Sequence, residues 1–171
     1  MSKIEGLAKL RAKLRALPAE AKAEIRQALT QSAEEVADMA RRLAPYESGD
    51  LKASIKVVHG SYTPENSNVR GVSATADGDA DPDLTVSVVA GNAKAFYAAW
   101  VEFGTAAHVI KPKRPGGLLN INGRLIEQVS HPGGTPRPYF FPAWRANKRR
   151  VRGRITRATK KAAQKVAGNG Q

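Results

Sequence analysis

The segment from His131 to Trp144 constrains this fold more than any other. Its first half can be neither helix nor central strand, because Pro132, Pro136 and Pro138 lack an amide donor and Gly133-Gly134 is too permissive to hold regular structure. Its second half crowds Tyr139, Phe140, Phe141 and Trp144 together, and Pro142 is suited to open a helix, where a missing N–H costs nothing. The pattern predicts a proline-stiffened connector, then an anchor in which Phe140, Phe141 and Trp144 seat a long basic helix running from Arg145 to Lys165.

Charge is the second constraint. The 171 residues carry a formal net charge of +13, unevenly spread. No acidic residue follows Glu127, while Arg149, Arg150, Arg152, Arg154, Arg157, Lys160 and Lys161 crowd the last helix. Such polarity points to an acidic partner, nucleic acid or an acidic protein face, or to a solvated helix face. Cysteine is absent and histidine occurs three times, so no disulfide or thiolate site exists and ligands for a transition metal are few. No metal and no cofactor is expected. Met1 to Leu17 interleaves Lys and Arg with leucines and lacks the apolar core of a signal peptide, and no run is long enough to span a bilayer. A soluble protein made in the cytoplasm, with no membrane partner, is expected.

Taken in order, Leu7, Leu10, Leu14 and Leu17 predict a short, mobile helix over 1–17, stopped by Pro18. Ile25, Leu29, Ser32, Val36, Met39 and Leu43 then fall on one stripe of a helix of about seven turns ending before Pro45. Leu51 to His59 alternates for most of its length and reads as the first strand. Residues 60–83 read as a long surface loop. Its Asp77, Asp79, Asp81 and Asp83 invite a calcium reading, but Pro82 and Val88 stand where such a loop needs Gly and Glu. Leu84 to Ala90 is the clearest strand. Tyr97, Trp100 and Val101 suggest a turn or two of helix stopped at Gly104. Asn122-Gly123, between apolar runs, is a type I′ hairpin signal. Trp144, Val151, Ile155, Ala158, Ala162 and Val166 line one side of the last helix, and 168–171 should be disordered. The sum is one α+β domain over 1–171: a small antiparallel sheet with a protruding hairpin, packed by a long N-terminal helix and a basic C-terminal helix.

No phosphate-binding loop, nucleophile elbow or paired-histidine zinc motif occurs, so no catalytic residue is assigned and the chain is not read as an enzyme. His59, His108 and His131 lack a carboxylate pattern to orient them. Glu102, an acid among aromatics, is expected to cap a backbone or pair with an arginine, since an unpaired buried carboxylate is costly.

Three stretches together resemble a tailed-phage morphogenesis family. They are Pro45-x-x-Ser48-Gly49-x-Leu51-x-x-Ser54-Ile55, Tyr97-x-x-Trp100-Val101-Glu102-Phe103-Gly104-Thr105, and His131-Pro132-Gly133-x-x-Pro136-x-Pro138-Tyr139-Phe140-x-Pro142-Ala143. The family is the gene-product-ten-like group of neck and tail-completion proteins, including head-tail joining and minor tail proteins. The resemblance implies a structural virion protein at the head-tail junction or tail end, acting as a homo-oligomeric ring, a hexamer being one such size, against tail-tube and neck proteins. It implies no activity and no cofactor. Gly49, Leu51, Tyr97, Trp100, Glu102, Phe103, Gly104, Pro138, Tyr139, Phe140, Phe141, Pro142 and Trp144, with the Asn122-Gly123 tip, become the structural or assembly residues. The alternative is a nucleic-acid-binding protein that uses the basic C-terminal helix on phosphates.

Overall fold

The computed structural model describes residues 17–60, 62, 81–114 and 116–168. The expected short helix before Leu17, most of the 60–83 loop and the last three residues lie outside them. Helix α1 spans Ala19–Leu43 and helix α4, the last element, spans Phe140–Gly168. They lie antiparallel along much of their length, since Glu24 pairs with Lys165 (3.0 Å) at one end and Met39 meets Asn147 (3.2 Å) near the other. Most of the buried positions on the two helices are small residues. Ala21, Ala28, Ala33, Ala37 and Ala40 of α1, and Ala143 and Ala162 of α4, are buried, with Ile25, Val36 and Val151 filling the remainder. The buried stripe of α1 is thus made by alanines more than by its leucines. Leu43, expected on that stripe, is 48% exposed.

After α1, the short helix α2 (Asp50–Ser54) and strand β1 (Lys56–His59) divide a segment that alternation alone assigns wholly to strand. Gly49 sits at φ 86° and turns the chain into α2, so Leu51 and Ile55 come four apart on one face, both buried. Strand β2 (Val86–Val89) follows a 3₁₀ turn at Pro82–Leu84 and pairs antiparallel with β1, Lys56 opposite Val89 and His59 opposite Val86. This two-stranded sheet packs on α1.

Helix α3 (Ala98–Phe103) stops at Gly104 (φ 72°). A Cβ there would stand 2.5 Å from the Gly134 carbonyl oxygen, so glycine is required sterically as well as conformationally. From this point the chain leaves the body and returns. Thr105 and Gly134 exchange both backbone hydrogen bonds, at 3.0 and 3.1 Å. Strands β3 (His108–Ile110) and β6 (Val129–His131) pair above them. Strands β4 (Leu119–Ile121) and β5 (Arg124–Ile126) form the outer hairpin, with Asn122 at φ 51° and Gly123 at φ 83°, the signs a type I′ turn needs. The expected hairpin is thus the tip of a longer arm, residues 105–134. His131, read from sequence as connector, is the last residue of β6.

Candidate functional site

Residues from each of the three sequence blocks meet at one place, the entrance of α4. Leu51 and Ile55 from the first block, Ala98 from the second, and Tyr139 and Ala143 from the third share a buried cluster with Ala37, Ala40 and Ala44. Ser54 ties its neighbours together, its hydroxyl donating to the Leu51 carbonyl (2.7 Å) and accepting from the Gly91 amide (3.0 Å). The Arg41 guanidinium donates twice to the Ile55 carbonyl, at 3.1 and 2.8 Å.

Glu102 completes the junction. One carboxylate oxygen accepts from the Tyr139 and Phe140 amides (2.7 and 2.8 Å) and the other from the Phe141 amide (3.0 Å). The next residue, Pro142, has no amide hydrogen, and the Ala143 amide reaches the Tyr139 carbonyl at 3.4 Å, starting the helical ladder. Every N–H at this helix start therefore has a partner or does not exist. A negative carboxylate also complements the positive end of the helix dipole. Pro142 thus stands at the third helical position rather than opening the helix, which begins at Phe140. Of the two partners expected for Glu102, a backbone or an arginine, the backbone is the one observed.

The anchor differs from the sequence expectation. Tyr139 is the aromatic that is fully buried, 1% exposed, with its hydroxyl 3.4 Å from the Ala98 carbonyl. Burial, with the nearby Glu102 charge and Tyr97, pushes its phenol up and keeps it neutral. Phe140 is half-buried against the core, whereas Phe141 is 46% exposed and Trp144 lines an open apolar groove with Leu29, Val36, Val88 and Ile155. Pro138, just ahead of Tyr139, is exposed. The reason lies in direction: Tyr139 and Ala143, four apart, are the pair at the helix start that points into the buried core.

Helix α3 has two faces. Tyr97, Ala98, Val101 and Glu102 turn inward. Phe96, Trp100 and Phe103 turn outward; Phe96 meets Trp100 edge-on at 5.5 Å, and Phe103 lies 5.8 Å from Phe141. The result is an exposed aromatic ridge. Trp100, grouped by sequence with Tyr97 and Val101, belongs to this outer face. Phe96 joins it, and the spacing of Phe96, Trp100 and Phe103 is a sequence signal for one helix stripe. The arm adds a second exposed apolar surface in Leu118, Ile121 and Leu125, 51%, 41% and 63% exposed.

The basic residues of α4 separate into two sets. Arg154 grips Glu35 through both nitrogens (3.0 and 2.5 Å) and the Ser32 hydroxyl at 3.0 Å, and Arg150 adds a 3.0 Å pair to Glu35. Lys161 and Lys165 pair with Glu24. These partners hold the Glu24 and Glu35 carboxyls below their ordinary value of 4.5, chiefly through hydrogen bonds from Lys161 and Arg154 respectively. Arg149, Arg152, Arg157 and Lys160 are exposed and form no ion pair among the described residues. In the acidic loop, Asp81 and Asp83 are held against α1 by Lys22 (3.0 Å) and Arg26, and Asp77 and Asp79 lie outside the described residues. His108 and His131 stack across the β3–β6 ladder at 5.0 Å. Each ring also meets local backbone, His108 at the Ala106 carbonyl and His131 at the Gly133 amide, both 3.0 Å. That is turn-forming work.

A family model matches residues 8–104, more than half of the chain. It is the HK97-gp10-like family, described as "Bacteriophage HK97-gp10, putative tail-component". The chain belongs to this family. It is thereby a structural protein of the phage tail-component class, a virion component rather than a member of an enzyme family. The match contains α1, the α2 turn and α3 with Glu102, and ends at Gly104, so the arm and α4 lie beyond it. No curated protein and no solved structure is significantly similar to the chain. No helix among the described residues is long and apolar enough to cross a membrane.

Proposed function

We propose that this family member completes the phage tail, or joins tail to head, as a closed ring of identical subunits standing between tail-tube and neck proteins, each chain acting as one domain. The observation that carries the reading is the pair of dissimilar apolar surfaces on one chain, the ridge of Phe96, Trp100, Phe103 and Phe141 and the arm with Leu118, Ile121 and Leu125, both exposed. Unlike patches that fit one another make a head-to-tail contact, which closes into a ring when the rotation allows. Aromatic anchors suit the centre of such an interface. A two-stranded hairpin gains little stability alone, so an arm of this kind is best explained by a neighbour that covers it.

The test is deletion of the gene in its phage. DNA-filled heads and separate tails, or tails with defective ends, are the expected products by electron microscopy. Normally joined, infectious particles would refute the reading.

A further inference from the structure

We propose that the outward face of α4 binds the phosphate backbone of double-stranded DNA, without regard to sequence. Arg150, Arg154, Lys161 and Lys165 are engaged with Glu24 and Glu35 of α1. Arg145, Lys148, Arg149, Arg152, Arg157 and Lys160 are exposed and have no hydrogen-bonding or ionic partner among the described residues. At helical periodicity Arg145, Arg149, Arg152 and Lys160 fall along one strip, with Lys148 and Arg157 flanking it. From Arg145 to Lys160 that strip runs about 22 Å at 1.5 Å per residue, and duplex DNA offers a phosphate charge about every 1.7 Å of its axis.

The isolated face is electrostatically unfavourable. Arg145 and Arg149, and Lys148 and Arg152, stand four apart, and like charges at that spacing destabilise a helix. A face kept only for solubility would mix both signs, yet α4 contains no carboxylate. A polyanion converts this repulsion into attraction. Between the cations lie Ala146, Thr156 and Ala163, with no aromatic or large aliphatic side chain to form the dry centre that a protein interface needs. Arginine, the more frequent cation on this face, also suits phosphate by its planar, many-donor geometry. Backbone contact of this kind positions a duplex and reads no bases. The inference is separate from ring formation, because these cations lie outside both apolar surfaces.

A labelled duplex titrated with the full-length protein, followed by fluorescence anisotropy between about 50 and 200 mM salt, tests it. Six phosphate contacts predict an affinity loss of about a thousandfold or more over that range, equal for duplexes of different sequence. The triple variant Arg145→Gln, Arg149→Gln, Arg152→Gln should lower the slope of log affinity against log salt by about 2.7. The arm variant Lys111→Gln, Lys113→Gln, Arg114→Gln should leave that slope unchanged. Circular dichroism checks that both variants keep their helices, and light scattering on the same samples reads ring size. Absence of duplex binding at the lowest salt would overturn the inference even if rings form. So would an unchanged slope in the α4 variant, or one that loses a tail or neck protein without losing DNA. Binding with the predicted slope by a protein that does not form rings would support the inference while counting against the proposed function.

Discussion

The α4 entrance and the 105–134 arm are both glycine- and proline-rich excursions of the chain, yet they use their residues in opposite ways. At the entrance the key polar and aromatic groups, Glu102 and Tyr139, are directed inward: Glu102 accepts three amides and Tyr139 is 1% exposed. Along the arm they are directed outward. Strand β3 is exposed throughout, and Leu125 near the tip is 63% exposed. The first region is closed within one chain, and the second is left open. The difference teaches where to look for assembly. Substitutions at the entrance should reduce folding stability, and substitutions on the arm and ridge should reduce association.

That contrast can be broken most forcefully at Tyr139. Tyr139→Ala should destabilise the protein by about 3–5 kcal/mol in urea unfolding, the range for deleting a buried aromatic ring. Next is Glu102→Ala, with an expected loss of about 3 kcal/mol, because the buried amides it caps lose a charged acceptor. Glu102→Gln keeps one acceptor oxygen and should lose less. An exposed, functionally silent Glu102 would instead leave the unfolding midpoint unmoved. On the other side of the comparison, Phe103→Ala and Leu125→Ala should change monomer stability by only about 0.5 kcal/mol while lowering the oligomer fraction in sedimentation. Equal stability losses at Phe103 and Tyr139 would erase the distinction.

The smallest effect is acid sensitivity along α1 and α4. Glu24 and Glu35 have folded pKa values below their ordinary value of 4.5. The unfolded chain therefore takes up their protons first as pH falls. Their contribution is complete above the ordinary value and is lost as pH drops through the lower, folded one. Thermal midpoints measured from neutral pH downward should fall in this window, and Glu35→Gln should show a shallower fall. A midpoint that rises with acidification would have the wrong sign.

Much of this arrangement is legible in the residues. Pro18 and Pro45 bracket α1, and Asn122-Gly123 dictates the turn at the arm tip through its backbone angles. That Glu102 takes a partner follows from the cost of leaving an acid unpaired among aromatics, although the choice between backbone and arginine does not. Other features depend on long-range contacts that local pattern does not carry. Leu51 to Ile55 alternates acceptably as strand, but Gly49 in the left-handed region starts a helical turn that buries Leu51 and Ile55 together. Leu43 fits a leucine stripe, yet alanines occupy most of the buried positions of α1 and Leu43 is exposed. Similarly, nothing local distinguishes Arg154, which reaches Glu35, from Arg152 two residues earlier, which faces outward. Only the position of α1 separates them. The β3–β6 ladder was hidden because Val129 to His131 precedes the proline run and finds its partner across the whole arm.

On the proposed function, the open arm serves a neighbouring subunit. Replacing residues 119–126 by a short Gly-Ser turn, then measuring the mass of the purified protein by native mass spectrometry beside the intact chain, tests it directly. A closed ring is expected for the intact chain, and a monomer with an unchanged unfolding midpoint for the shortened one. A shortened protein that still assembles into the same ring would contradict it.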